Sequence, residues 1–396
     1  MKALSFEGSG LEYFKIWIIN ILLTLVTLGL YYPWAKVRNY RYFYANTKLD
    51  GRSFEYHATG KQLFKGFIIA MALFISYVVI QQVSPIGSVV VFLLFFMAFP
   101  WIIWRSLKFN MRMTSFSNVR FSFKGELGQA YFNYMLLPFL TFLSLYAAPI
   151  IIAVVVGVSG TSISILTILL LGIFSIALLA LALGLFAYMK KRNTCYTING
   201  IQYGQGQFSV NVKTETFILI LLKAVGFGIL LVGASMVLAG LLSFAFGIAE
   251  DILLAYESSN DPEAIQAAMG NSMLLLIGVI YFGMIISSML VGSYLIARQR
   301  AYIFANMTLD KTITFSSTLK ASKLAWVLVT NFLAIILSLS LALPWAKVRM
   351  AKLVLENTWV DTQSGFDEYL TQKQTEQSSL GEQIGDAFDI DVGIGI

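Results

Sequence analysis

Six residues, Pro33-Trp34-Ala35-Lys36-Val37-Arg38, return as Pro344-Trp345-Ala346-Lys347-Val348-Arg349, 311 positions later. The match extends backward to Asn20 and Asn331, thirteen residues before each proline, and forward to Asn46-Thr47 and Asn357-Thr358. A fixed offset inside one chain is the signature of an internal repeat. Two copies of one sequence are expected to fold alike and to face the same compartment. Degenerate copies fill the interval. Pro100-Trp101 is followed by Arg105 five residues on and Thr114 fourteen on; Asn193-Thr194 places a third copy near Ala180; Arg298 and Asn306 follow Ser293 at five and thirteen. The sequence therefore divides into a domain of residues 1–360 with five repeats, starting near 33, 100, 180, 293 and 344, and a tail of residues 361–396.

What surrounds the copies is apolar. Charged residues make up 12% of the chain and hydrophobic ones 58%, against roughly 25% charged in a soluble domain. Stretches near 63–83, 87–104, 131–156, 162–189, 217–246 and 273–296 are each long enough, at roughly twenty residues, to cross about 30 Å of hydrocarbon as helix. Each copy ends in cations next to aromatics, as helix ends do at the cytoplasmic headgroup level. With all copies on that side, two spans separate each of the first four, giving six transmembrane helices in three hairpins. Single apolar stretches remain at either end, residues 16–34 and 324–345. Plain crossing would put one basic cluster outside, so re-entry is the reading adopted, with a turn near Leu28-Gly29 in the first. The expected class is an all-α polytopic membrane protein with short cytoplasmic strands between repeats, among them a hairpin over 196–203 turning at Asn199-Gly200.

Charge and rare residues narrow the chemistry. Residues 361–396 hold eight carboxylates and one lysine, Lys373, whereas the rest of the chain carries a net charge of +14. The tail reads as flexible, with a further strand expected over 388–396. One cysteine, Cys195, and one histidine, His57, leave no material for a His/Cys metal centre. Neither a cofactor nor an enzymatic reaction is expected, and the acidic cluster from Glu250 to Glu263 reads as a solvated outer linker. The six long stretches lack central ionisable groups, unlike the spans of proton-coupled carriers. The first apolar stretch is expected to stay in the mature protein, since residues 1–15 lack the pattern of a cleaved signal.

Two sets of residues are candidates for function. Asn20 and Asn331, with Thr24 and Thr27 beside the first turn, are polar groups within apolar segments and would line a path or an interface between repeats, or else bond a neighbouring helix. Lys36, Arg38, Arg41, Arg105, Lys108, Arg298, Lys347, Arg349 and Lys352 follow the helices. Several stand three apart on one helix face and would hold anionic lipid headgroups or serve as ordinary anchors. Expected partners are membrane lipids, anionic at the inner face. Nucleic acid is not expected, and an oligomer is compatible with the pattern. Two functions fit: a transport or pore-type protein for a small solute or lipid, and a membrane scaffold that recruits partners to a basic face.

The two Trp-Ala-Lys-Val-Arg motifs, Phe6-Glu7-Gly8, the run from Leu23 to Tyr32 and Arg41-Tyr42-Phe43-Tyr44-Ala45-Asn46-Thr47 together resemble the YjgN family of bacterial inner-membrane proteins, a family defined by a domain of unknown function. The resemblance spans about residues 4–360. It implies a multi-pass protein of the bacterial cytoplasmic membrane and brings no catalytic or binding residues with it.

Overall fold

A computed structural model describes residues 1–159, 164–247, 250, 262–361 and 366–376, without the side chains of 159 and 262–275. Beyond Glu250, the acidic cluster up to Glu263 and the strand expected over 388–396 lie outside the described residues or their side chains.

The helices are α1 (Gly10–Val26), α2 (Tyr32–Ala45), α3 (Gly60–Val83), α4 (Pro85–Arg112), α5 (Leu127–Tyr131) with a π-turn (Phe132–Leu136) running into α6 (Leu137–Ser159), α7 (Ile165–Gly200), α8 (Thr214–Ala245), α9 (Pro262–Ala305), α10 (Ala321–Leu337), α11 (Leu343–Glu356) and α12 (366–376). Local chemistry sets their ends. Ser9 with Glu12 and Thr59 with Gln62 form capping boxes that satisfy the first free N–H groups of α1 and α3. Proline opens α2, α4 and α11, where its missing N–H and fixed φ suit the first turn. Among the described residues, six helices are long and apolar enough to cross a membrane: Gly60–Val83, Pro85–Arg112, Leu127–Val158, Ile165–Gly200, Thr214–Ala245 and Leu276–Ala305. The protein is accordingly polytopic.

α1 and α2 are shorter, as are α10 and α11. The first pair turns through Leu28 and Gly29, the second through Leu339 and Ser340, all with positive φ. Each helix packs on the next along the chain, and α11 packs back on α1, so the helices close a circuit. No more than 17% of the apolar window of any of the six long helices is buried against protein. Most of their apolar surface is left for lipid or for the space the circuit encloses.

A purely helical class is too narrow for this chain. The strands β1 (Lys2–Ala3), β2 (Ser5–Phe6), β3 (Thr47–Leu49), β4 (Arg52–Tyr56), β5 (Thr114–Phe116), β6 (Val119–Phe123), β7 (Ile201–Tyr203), β8 (Gly206–Val210), β9 (Met307–Leu309), β10 (Ile313–Ser317) and β11 (Thr358–Val360) form one antiparallel sheet in the order β1-β11-β10-β9-β8-β7-β6-β5-β4-β3-β2. The strands at its two ends, β1 and β2, are halves of one stretch separated by Leu4. Lys2 and Ala3 pair with β11, the Leu4 N–H donates to the Thr358 carbonyl at 2.9 Å, and Ser5 and Phe6 pair with β3. The sheet thus closes into a ring, which leaves no edge strand exposed. Every five-residue strand divides its pairing in this way. In β4, Arg52 and Ser53 face β3 while Phe54, Glu55 and Tyr56 face β5.

Alternation points one face of each strand inward. Leu49, Phe116, Val119, Tyr203, Leu309, Ile313 and Val360 are buried inside the ring, with Leu4, Phe54, Phe121, Phe208 and Phe315 packed against them. The hairpin expected over 196–203 belongs elsewhere. α7 runs on through Asn199-Gly200, and the strands follow at 201–203 and 206–210 around Gly204. Asn199 ends the helix instead of making a turn: its Oδ1 accepts the Val210 N–H at 2.7 Å and its carbonyl accepts from Gln207 Nε2 at 3.3 Å. Counting fourteen residues back from Ile201, as from Thr47 and Thr114 to their prolines, reaches Ala187, with Arg192 five further on. Asn193-Thr194 is a match of letters inside a helix.

Candidate functional site

Asn20 sits mid-way along α1, 4% exposed, where an amide needs partners. Its Nδ2 donates to Asn39 Oδ1 at 3.2 Å and lies 3.5 Å from the Ala35 carbonyl, and its Oδ1 accepts from Arg38 Nη1 at 3.3 Å. The repeated motif supplies these groups from the facing helix: alanine a carbonyl, arginine a donor. The second motif does the same. Asn331 Nδ2 donates to the Ala346 carbonyl at 3.1 Å, and Arg349 Nη1 reaches Thr330 Oγ1 at 2.7 Å and Asn331 Oδ1 at 3.4 Å. A third clip joins Arg192 Nε to Asn133 Oδ1 at 3.4 Å, with Asn133 fully buried. The motif tryptophans hold neighbouring pairs together. Trp34 lies on Gly60 and Phe64, and Trp345 on Gly10 and Phe14, so close that a Cβ on either glycine would strike an indole.

Around Asn20, α1 and α2 of the first short pair leave a cavity of about 590 Å³, which Lys347 of the second pair borders. Its polar lining consists of Asn20, Thr24, Lys36, Asn39, Tyr40 and Lys347, with tyrosine, tryptophan and aliphatic side chains between them and no carboxylate. Lys36 comes from the first motif and Lys347 from the second, so one lysine of each copy borders the cavity. Each ammonium lies near an aromatic face, Lys36 5.8 Å from the Tyr40 ring centre and Lys347 6.0 Å from that of Tyr13. Neither has an ion-pair partner among the described residues.

The other expected residues scatter. Asn331 is half-buried and lines its own helix contact, not this cavity. Thr24 donates to the Asn20 carbonyl at 2.6 Å, and Thr27 braces the turn, donating to Leu23 O and accepting the Tyr31 N–H. Arg41 donates to the Ala58 carbonyl at 2.8 Å; Arg105, Lys108 and Arg298 lie over Trp101, Trp104 and Tyr294. Lys352 is half-buried on α11. Asn39, Tyr13 and Trp17 are cavity residues that sequence reasoning missed. Asn39 directly follows the first motif, and Met350 takes its place after the second, so the repeat gave no signal for it.

A second space of about 280 Å³ lies inside the strand ring. Phe54, Phe121, Phe208 and Phe315 line its wall. At one end stand Phe304, Met307 and Arg300, whose Nη2 donates to Thr358 Oγ1 at 2.6 Å, whose guanidinium lies 4.3 Å from the Phe304 ring centre, and whose buried Nε has no partner. At the other end lie Phe366, Tyr369 and Leu370 of α12. Residues 366–376, within the tail expected to be flexible from its composition, form a helix that packs here. His57 accepts from or donates to Ser115 Oγ at 2.7 Å and is held as part of the β4–β5 contact.

Among the described residues no group of His, Cys, Asp and Glu has the spacing to hold a metal ion.

A family described as bacterial protein of unknown function (DUF898) matches residues 1–387. An inner membrane protein YjgN of Salmonella typhimurium is 31% identical over 372 residues, covering 90% of this chain and 88% of the relative. Proteins of the same name from Escherichia coli O157:H7 and K12 are each 28% identical, covering 90% of this chain and 87% of theirs. No solved structure matches it. Matched along nearly its whole length by both comparisons, the chain belongs to the YjgN family of inner membrane proteins.

Proposed function

We propose that this protein is a membrane passage for an amphiphile with an anionic head, which it takes up in the cavity of the first short helical pair. The observation that carries the reading is the pair of unpartnered ammonium groups, Lys36 and Lys347, in a cavity that holds no carboxylate. An anion there gains two charge-assisted contacts without displacing an internal partner, and the tyrosine and tryptophan walls suit the glycerol and first methylenes below a headgroup.

Topology supports lateral access. A closed sheet occupies one compartment only, so every strand-bearing segment lies on the same side of the membrane. Three long helical pairs then cross and return. The two short pairs begin and end on that side as well: helices of 17 and 14 residues, at 1.5 Å per residue about 25 and 21 Å long, dip into the bilayer and come back. The basic ends of the helices support a cytoplasmic placement of that side. Where the short pairs stand, the wall is lower than elsewhere, and lipid has access to the cavity from the side. On this reading the chain consists of five units, each a helical pair followed by a short and a long strand, the last completed by residues 2–6.

The test uses the full chain in vesicles of neutral lipid doped with fluorescent phosphatidylglycerol. Lys36→Gln with Lys347→Gln is expected to weaken its saturable binding by roughly thirtyfold and to slow its protein-dependent movement between leaflets, and equal binding by the double variant would refute the site. Binding without movement in the unaltered protein would select the scaffold function, in which the same cavity holds a lipid in place.

A further inference from the structure

We infer that residues 366–376 are a removable stopper seated in the mouth of the strand ring, and that the aromatic chamber behind them is the inner end of the passage proposed above. The helix has one face suited to this. Phe366, Leu370 and Lys373 are 7%, 3% and 7% exposed and fall at the i, i+4, i+7 spacing of a single stripe. Phe366 and Leu370 join the ring's own core, and Tyr369 stacks over Tyr203.

Polar contacts fix the stopper to the rim, and they fall on the turns between strands. Asp310, in the β9–β10 turn, accepts from Tyr369 Oη at 2.8 Å and lies 3.4 Å from Lys373 Nζ. Ser117, in the β5–β6 turn, accepts from Gln374 Nε2 at 2.7 Å through its carbonyl, and Arg52, where β4 begins, pairs with Asp367 at 2.9 Å. Gly204 and Gly206 are places where these side chains come close to backbone: a Cβ at 204 would touch Lys373, and one at 206 would strike Tyr369 and Asp310. Lys373, the one lysine among the tail's carboxylates, is thus used as a rim contact that also binds Glu376 at 3.1 Å.

Two features make the seat reversible. Only two apolar side chains are fully inserted, while eleven residues are ordered to place them, so the conformational entropy regained on release is large relative to what holds the helix down. The principal anchor is a single carboxylate, Asp310. The chamber that α12 covers is otherwise lined by apolar side chains, Tyr203, Thr358 and one guanidinium, the inventory that an acyl chain with an anionic head would meet on leaving the membrane.

The experiment reads access to the chamber. In a Cys195→Ser background, Leu49→Cys places a thiol in the ring's core, where Leu49 is 5% exposed, and a membrane-impermeant maleimide reports on it. Removing residues 362–396, or introducing Leu370→Asp, is expected to raise the labelling rate roughly tenfold or more, as opening of a local closed unit governs access to it. In a second protein carrying Leu49→Cys, Ser117→Cys and Gln374→Cys, oxidation before labelling is expected to hold the rate at the basal value even with Leu370→Asp present, and reductant to release it. Unchanged labelling in both the truncated protein and Leu370→Asp overturns the stopper, and near-complete unfolding is separated from release by retained thermal unfolding of the helical domain. Failure of the passage reads differently: labelling rises on release while lipid movement between leaflets does not.

Discussion

The short helical pairs and the long ones emerge from the same sheet, yet they solve different problems. The long pairs, such as α3–α4, cover themselves in apolar side chains and put their cations over aromatics at the ends, Arg105 over Trp101 and Lys108 over Trp104. The short pairs bring polar groups inward instead. Asn20, Arg38 and Asn39 satisfy one another, and Lys36 and Lys347 are left facing a cavity. Groups of this kind are tolerated at bilayer depth only where protein or water covers them. On the proposed reading, a helical pair that turns back early is where a charged site and lipid can be neighbours.

The comparison breaks most readily at Asn20. Asn20→Leu removes the amide acceptor of Arg38 and leaves half-buried Asn39 without the donor to its Oδ1; it is expected to lower stability by about 2 kcal/mol, whereas Asn331→Leu, at the less buried counterpart, is expected to lower it by about 1 kcal/mol. Thermal unfolding in detergent checks the difference, and equal losses would mean that the two short pairs are not distinguished by burial. Next in size is the lysine pair. Near a membrane surface each cation is worth about 1 kcal/mol toward anionic lipid, so Lys36→Gln with Lys347→Gln is expected to weaken phosphatidylglycerol binding by roughly thirtyfold. Arg105→Gln with Lys108→Gln on a long pair is expected to change it by less than about threefold. Comparable losses from the two pairs of substitutions would reduce the cavity to ordinary surface anchoring.

The smallest effect concerns pH. Burial raises the Asp310 carboxyl, but the Gln207 N–H, the Tyr369 hydroxyl and Lys373 together outweigh it and hold the group below the ordinary carboxylate range. A depressed value contributes stability that is present above the ordinary Asp value of about 4 and is lost as pH falls through the folded one. The labelling rate of Leu49→Cys, divided at each pH by that of the same protein lacking residues 362–396 to remove the thiol's own pH dependence, is accordingly expected to be flat from pH 7 to about pH 5 and to rise below about pH 4. Asp310→Asn is expected to remove that rise while loosening the stopper by about 1 kcal/mol at neutral pH, measured as a higher labelling rate.

Much of this was legible in the residues, for identifiable reasons. Length and apolarity announce the six long helices because hydrocarbon thickness is a strict ruler, and the repeated hexapeptide led to Asn20, Lys36 and Lys347. Strands of two to five residues carry too little alternation to declare their partners. Nothing in Lys2–Phe6 says that one half pairs with β3 and the other with β11. Asn199-Gly200 has the letters of a hairpin turn but closes a helix, because Val210 and Gln207 come back to bond it. The seat of α12 was hidden by composition. Its glutamines, threonines and carboxylates dilute three large side chains, and only the ring beneath shows that those three share a face.

Closing the sheet through residues 2–6 has an outcome for how the molecule is made. Lys2, Ala3 and Leu4 find their β11 partners only when residues 358–360 have been synthesised, so β1 waits unpaired throughout elongation while β2 pairs with β3 early. Contacts so distant along the chain are slow to form. The seam at Leu4 is therefore the last stitch, and loss of residues 2–4 would leave an otherwise inserted protein standing open as a strip of strands.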